Sequence, residues 1–234
     1  MTGLLEVIAL HAADAERAEA GGADRVQLVG SRAFDGLSPE PTLVGQVRRA
    51  TSLPIRVMLR LREGFSTDGG EAARLTALIG AYRDVGADGM VLGFLNGHTE
   101  IDADTVRQIV GEPDYGWTFH RAVDSCISTD RAWRTLATLP GLDQVLTAGS
   151  ARGVTEGLDD LVNRARTDAF ARAVMMAGGG LLPEHVPWLA RAGIRAIHIG
   201  AAARPGGSWK AYVDPDLVRS WRVLLDDAVR RSPP

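Results

Sequence analysis

The phrase AGGADRVQL at positions 20–28 returns as VGADGMVLG at 85–93, as PGLDQVLTAG at 140–149 and as AGIRAIHIG at 192–200. In each copy a glycine ends an amphipathic stretch, a tight turn follows, and a run of apolar residues begins. Glycine at the end of a helix and branched residues after a turn mark a helix C-terminus feeding a strand. Outward from these four junctions, apolar runs fall at 4–9, 25–29, 55–61, 89–93, 116–120, 144–147, 173–177 and 196–199. Both faces of the runs are apolar, as buried parallel strands require. Segments with helical apolar spacing lie between them, beginning near Asp14, Thr42, Gly70, Asp102, Thr129, Val154, Pro183 and Pro215. Several of these starts carry Asp, Thr or Pro, which satisfy or tolerate the unpaired N–H groups of a first turn. Eight strand-then-helix units predict an α/β fold, a (β/α)8 TIM barrel, as a single domain over 1–234. An open doubly wound sheet shares the same local grammar and is the alternative, disfavoured by the even size of the units.

The chain has 234 residues, 45% hydrophobic and 24% charged, enough to bury a sizeable core. Its formal net charge is −3 and its basic residues are scattered, which argues against a nucleic-acid or anionic-membrane partner. The first apolar stretch is interrupted by Glu6 and runs into an amphipathic helix, so no signal peptide or membrane span is readable there. Cys126 is the single cysteine, which excludes an intrachain disulfide and a Cys-only zinc site and fits a cytoplasmic location. Among 26 basic residues only Lys210 is a lysine, so Schiff-base chemistry would rest on that one amine. Pro233-Pro234 is expected to be a frayed end.

Polar residues inside strands are the informative ones, because in a barrel those at C-terminal strand ends line the mouth. Glu6, Gln27, Arg60, Arg62, Thr118, His120, Thr147 and His198 qualify. A buried carboxylate needs a cation, and Arg60 or Arg62 is the expected partner of Glu6. Glu6 and Gln27 sit early in their strands and are expected to reach the mouth less easily. His120 and Asp124, within Thr118-Phe119-His120-Arg121-Ala122-Val123-Asp124, are the candidate acid/base pair, since a carboxylate orients an imidazole that exchanges protons near neutral pH. Arg60, Arg62 and Arg121 offer planar forks for a carboxylate or phosphate. Gly178-Gly179-Gly180 after the seventh strand and Gly200 after the eighth stand where barrels hold phosphate on backbone N–H groups. With Thr147 and His198 they complete the expected ligand-binding set for a small anionic metabolite.

The chain resembles the CutC family, named for copper homeostasis. The resemblance rests on Leu5-Glu6-Val7, Ala23-Asp24-Arg25-Val26-Gln27-Leu28, Asp35-Gly36-Leu37-Ser38-Pro39 and Val57-Met58-Leu59-Arg60. It continues through Phe119-His120-Arg121-Ala122-Val123-Asp124, Leu146-Thr147-Ala148-Gly149, Gly178-Gly179-Gly180 and His198-Ile199-Gly200. It implies a cytoplasmic TIM-like barrel and, by name, copper. Where the family commonly carries cysteines after the first strand's Leu-Glu-Val and at the end of the second strand, this chain has Ile8 and Val29. A common glutamate of the second strand is Gln27. Copper(I) prefers soft sulfur ligands, and Cys126 is the thiol that remains. Three functions follow as expectations: an enzyme or ligand-binding barrel for a small phosphate- or carboxylate-bearing metabolite, a copper-binding protein, or a non-catalytic scaffold or sensor. In the third, outer helices would pair two copies as a homodimer, with Trp188, Trp209 and Trp221 as interface candidates.

Overall fold

A computed structural model describes residues 3–31 and 36–232. Eight parallel strands follow one another around a closed barrel: β1 (Leu4–Ala9), β2 (Arg25–Leu28), β3 (Ile55–Met58), β4 (Gly89–Leu92), β5 (Trp117–Phe119), β6 (Leu142–Thr147), β7 (Met175–Gly178) and β8 (Ala196–Ile199). Closure comes from β8 pairing with β1, Glu6 opposite His198, while Glu6 stands opposite Arg25 on the other side. Around the barrel lie α1 (Ala12–Ala20), α2 (Pro41–Ala50), α3 (Gly69–Asp84), α4 (Ala103–Val110), α5 (Thr129–Leu136), α6 (Val154–Thr167), α7 (Ala169–Val174), α8 (Val186–Arg191) and α9 (Pro215–Arg230). Asp35 and Pro233-Pro234 lie outside the described residues.

The repeated phrase does what its residues dictate. Its glycines, Gly22, Gly86, Gly141 and Gly193, take φ of +90°, +101°, +68° and +91°, a region that costs any residue with a Cβ. Two residues on, Asp24 accepts the Leu5 N–H at 2.7 Å and Asp88 accepts the Ile55 N–H at 2.8 Å, so each acid staples its strand to the start of the preceding one. Asp143 takes the Arg56 guanidinium instead.

Outward-facing strand residues such as Leu5, Val7, Val26, Leu28, Ile55 and Val57 join the inner faces of the helices in one continuous core. The barrel interior is different. It holds two small apolar groups, Val29–Met58–Val91 against Ile8 and Leu146–Met176–Ala196 against Leu4. Between them are buried polar side chains, among them Glu6, Arg25, Gln27, Arg56, Thr118, His120 and His198.

Several strand boundaries differ from the sequence reading by one to three residues, two of them with a clear local cause. Ala173 and Val174 end α7, a helix not foreseen, whose start is capped by Asp168 accepting the Ala171 N–H at 3.0 Å. The third strand stops at Met58 rather than running to 61, because the Arg60 N–H leaves the sheet and donates to Ser38 Oγ at 2.9 Å.

Candidate functional site

At the C-terminal ends of the strands the barrel opens into a cavity of ≈ 750 Å³. Gln27, Arg60, His120, Arg121, Arg152 and His198 supply most of its polar lining, Ile8, Val29, Met58 and Leu146 its floor, and the β7 and β8 loops one wall. No Asp or Glu is among the described residues that line it.

Glu6 lies below this floor, fully buried, and its partners are neither Arg60 nor Arg62. Arg25 Nε donates to its Oε2 at 2.5 Å and His198 Nδ1–H donates to its Oε1 at 2.7 Å. The register explains the choice: both partners sit directly across from Glu6 on the two adjoining strands. Burial works against the carboxylate, but the Arg25 charge and the His198 hydrogen bond overcome it and hold the pKa at about 2. Facing the ionised Glu6, the neutral form of the His198 ring carries its proton on Nδ1, and its Nε2 is then an acceptor. Among the described residues Nε2 has no hydrogen-bond partner, and it is not sealed off from solvent, so it opens to the cavity that His198 lines.

His120 is arranged the opposite way. Its Nδ1 accepts the Ala122 N–H at 3.2 Å, so the neutral ring carries its proton on Nε2. That Nε2 is buried without a partner, as is Gln27 Oε1. Burial, then the nearby Arg60 charge, push the His120 pKa down to about 3, so the ring is a neutral hydrogen-bond donor at physiological pH. Phe65 packs on it at 5.4 Å between ring centroids, and Arg60 lies over the other ring at 5.0 Å. Gln27, despite its early place in β2, does line the mouth.

The acid/base pair expected of His120 and Asp124 does not form. After Phe119 the chain turns into a 3-10 segment, Arg121–Ser125, which breaks the strand parity that would have kept the two on one face. Asp124 instead accepts Thr147 Oγ1–H at 2.5 Å, the Ala148 N–H at 2.9 Å and Arg121 Nε–H at 2.9 Å. Its burial raises its pKa. Thr147 is thereby a strut under the rim. Arg62 turns outward and pairs with Asp68 at 3.1 Å and Glu71 at 2.8 Å at the start of α3. Arg60 stays, its Nε donating to the carbonyls of Arg62 and Gly64.

The glycines have distinct places. Gly178 lets His198 pack closely, since a Cβ there would sit 2.9 Å from His198 Cβ. Gly179 receives the Arg121 guanidinium in the same way, and Gly200 lies against the Trp209 ring. The N–H groups of Gly180 and Leu181 in the β7 loop, and of Ala201 and Ala202 in the β8 loop, meet no protein acceptor among the described residues. Arg152 meets no carboxylate among them either. Two residues escaped the sequence reading. Arg25 is visible in hindsight as a cation next to Glu6 in parallel register, whereas Arg152 has no sequence signal because it belongs to a loop. Of the three tryptophans, Trp221 is buried, Trp209 stacks on Arg204 at the mouth, and Trp188 is exposed.

Among the described residues no three His, Cys, Asp or Glu side chains converge. Burial and the charges of Asp124 and Glu100 push the Cys126 thiol up to about 11, so a metal ligand role would require displacing its proton. No helix is long and apolar enough to cross a membrane, among the described residues.

Comparison with known proteins accords with this architecture. The family protein CutC of Klebsiella pneumoniae (strain 342) is 31% identical over 231 residues, covering 94% of this chain and 92% of that protein. A CutC from Xanthomonas axonopodis pv. citri is 34% identical over 184 residues, 78% of this chain and 76% of its own. A crystal structure of a Streptococcus agalactiae CutC, named for copper homeostasis, superposes with a TM-score of 0.76 at 23% identity, over 85% of this chain and 98% of that one. A family model described as the CutC family matches residues 4–203, and the chain belongs to the CutC family.

Proposed function

We propose that this barrel binds and acts on a small anionic metabolite at its mouth, the phosphate or carboxylate resting on the β7 and β8 loops. The observation that carries the reading is the basic character of the cavity: among the described residues its ionisable lining is three arginines and two histidines. The N–H groups of Gly180, Leu181, Ala201 and Ala202 add uncharged donors on one wall, as barrel phosphate sites do. A second requirement comes from the floor. Gln27 Oε1 and His120 Nε2–H are a buried acceptor and donor without partners, and leaving such groups unpaired costs about 1–3 kcal/mol each. A ligand with a hydroxyl and a carbonyl beside its anionic group satisfies both. Calorimetric titration with inorganic phosphate tests the anion site. Saturable binding that weakens with salt and falls about 10-fold in Arg152→Gln is expected. Absence of binding at tens of millimolar phosphate would overturn the reading.

A further inference from the structure

The cavity holds two histidines in complementary states, and that complementarity reaches beyond binding. We propose that His198 is the general base of this mouth, that Glu6 is its positioning residue, and that His120 Nε2–H is the donor to the oxygen that gains charge when a proton leaves carbon. The inference rests on the anionic-metabolite reading above for the class of substrate.

A carboxylate accepting Nδ1–H fixes an imidazole in the tautomer whose Nε2 takes a proton, and it stabilises the imidazolium that forms. His198 has this arrangement, with Glu6 Oε1 at 2.7 Å and Nε2 open to the cavity. Glu6 is in turn held by Arg25, so it cannot swing away to meet the ligand itself. Across the mouth, at the end of β5, His120 is locked into the tautomer that donates, and its burial, then the Arg60 charge, keep it from acting as a base. A neutral imidazole donating to a carbonyl is the electrophile that enolisation requires.

The step balances without a cofactor. A C–H bond beside the substrate carbonyl breaks and its proton forms an N–H bond at His198 Nε2. The electron pair becomes the C=C of an enolate, and the carbonyl oxygen takes the negative charge and accepts from His120 Nε2–H. The imidazolium then returns the proton to the same or the neighbouring carbon. Gln27 Oε1 accepts the hydroxyl of the substrate. The substrate class is a short hydroxy-carbonyl compound carrying phosphate or carboxylate.

The test uses the full chain in heavy water with two probes, dihydroxyacetone phosphate and hydroxypyruvate, and follows deuterium entry at the carbon beside the carbonyl by proton NMR. Wild type is expected to exchange one of them above the buffer rate, which also tells phosphate from carboxylate. His198→Asn, whose amide nitrogen takes the place of Nδ1 and still donates to Glu6, is expected to melt near wild type and to lose about 100-fold or more of the exchange. Free imidazole is expected to restore part of the loss in His198→Ala, which a purely structural role would not allow. Exchange unchanged in His198→Asn, or no exchange of either probe by protein that binds inorganic phosphate, would overturn the assignment of His198. Exchange that depends on His198 in protein that fails to bind phosphate would overturn the anion site and leave the base in place.

Discussion

Asp124 shows how a single side chain can be read correctly as important and wrongly as to purpose. It sits four residues after His120, a spacing that keeps two side chains on one face only while the strand lasts. β5 ends at Phe119, and the following turn aims Asp124 at β6. There it holds Thr147, Ala148 and Arg121 at once, joining the end of one strand to the next and fixing an arginine of the mouth. Asp124→Ala strands a backbone N–H and a guanidinium near the rim, and is expected to cost about 3 kcal/mol in urea denaturation. Asp124→Asn, which still accepts one or two of the bonds, should lose less. Glu6 illustrates the converse. Its burial and need for a cation were legible from its place inside an apolar run, but the partner follows from strand register, which no spacing in the chain displays.

At the scale of elements, the strand and helix order was legible because parallel strands buried on both faces leave continuous apolar runs, and because each return to the sheet repeats one glycine turn. α7 was not, since its six residues are too few to show a helical period and its Asp168 cap reads equally well as a loop residue. Helix packing makes a prediction with two signs. Gly157 lies in α6 against the end of β6, where a Cβ would stand 2.0 Å from the Ala148 carbonyl oxygen. Gly80 lies in α3 with nothing within 4 Å of its would-be Cβ. Alanine gains about 1 kcal/mol over glycine inside a helix through backbone entropy. Gly80→Ala should therefore stabilise by up to about 1 kcal/mol. Gly157→Ala must push a helix off the sheet, and is expected to destabilise by about 2 kcal/mol or more despite the same propensity gain. Melting curves of the two variants decide the matter, and a shift of the same sign in both would refute close helix–strand packing at Gly157.

For the molecule as a whole, the polar barrel interior sets how stability responds to acid. His120 has a folded pKa of about 3 against an ordinary 6.5, so between those values the unfolded chain binds a proton that the folded chain refuses. Stability then rises with pH across that window and is lost as pH falls from 6.5 toward 3. At 1.36 kcal/mol per pH unit, a fall from pH 6.5 to about pH 5 removes about 2 kcal/mol through this one ring. Glu6 adds a second loss of the same sign only below 4.5, as pH approaches its folded value of about 2. Asp124 opposes both, because its raised folded pKa lets the native state take up a proton above 3.8. The contribution of His120 is separated from these by difference. Guanidinium unfolding of wild type and His120→Asn at about pH 7.5 and about pH 5 should give a wild-type loss about 2 kcal/mol larger than the variant's. Equal losses in the two proteins would mean that the ring is solvated or charged in the folded state, and a charged ring could not serve as the neutral donor at the mouth.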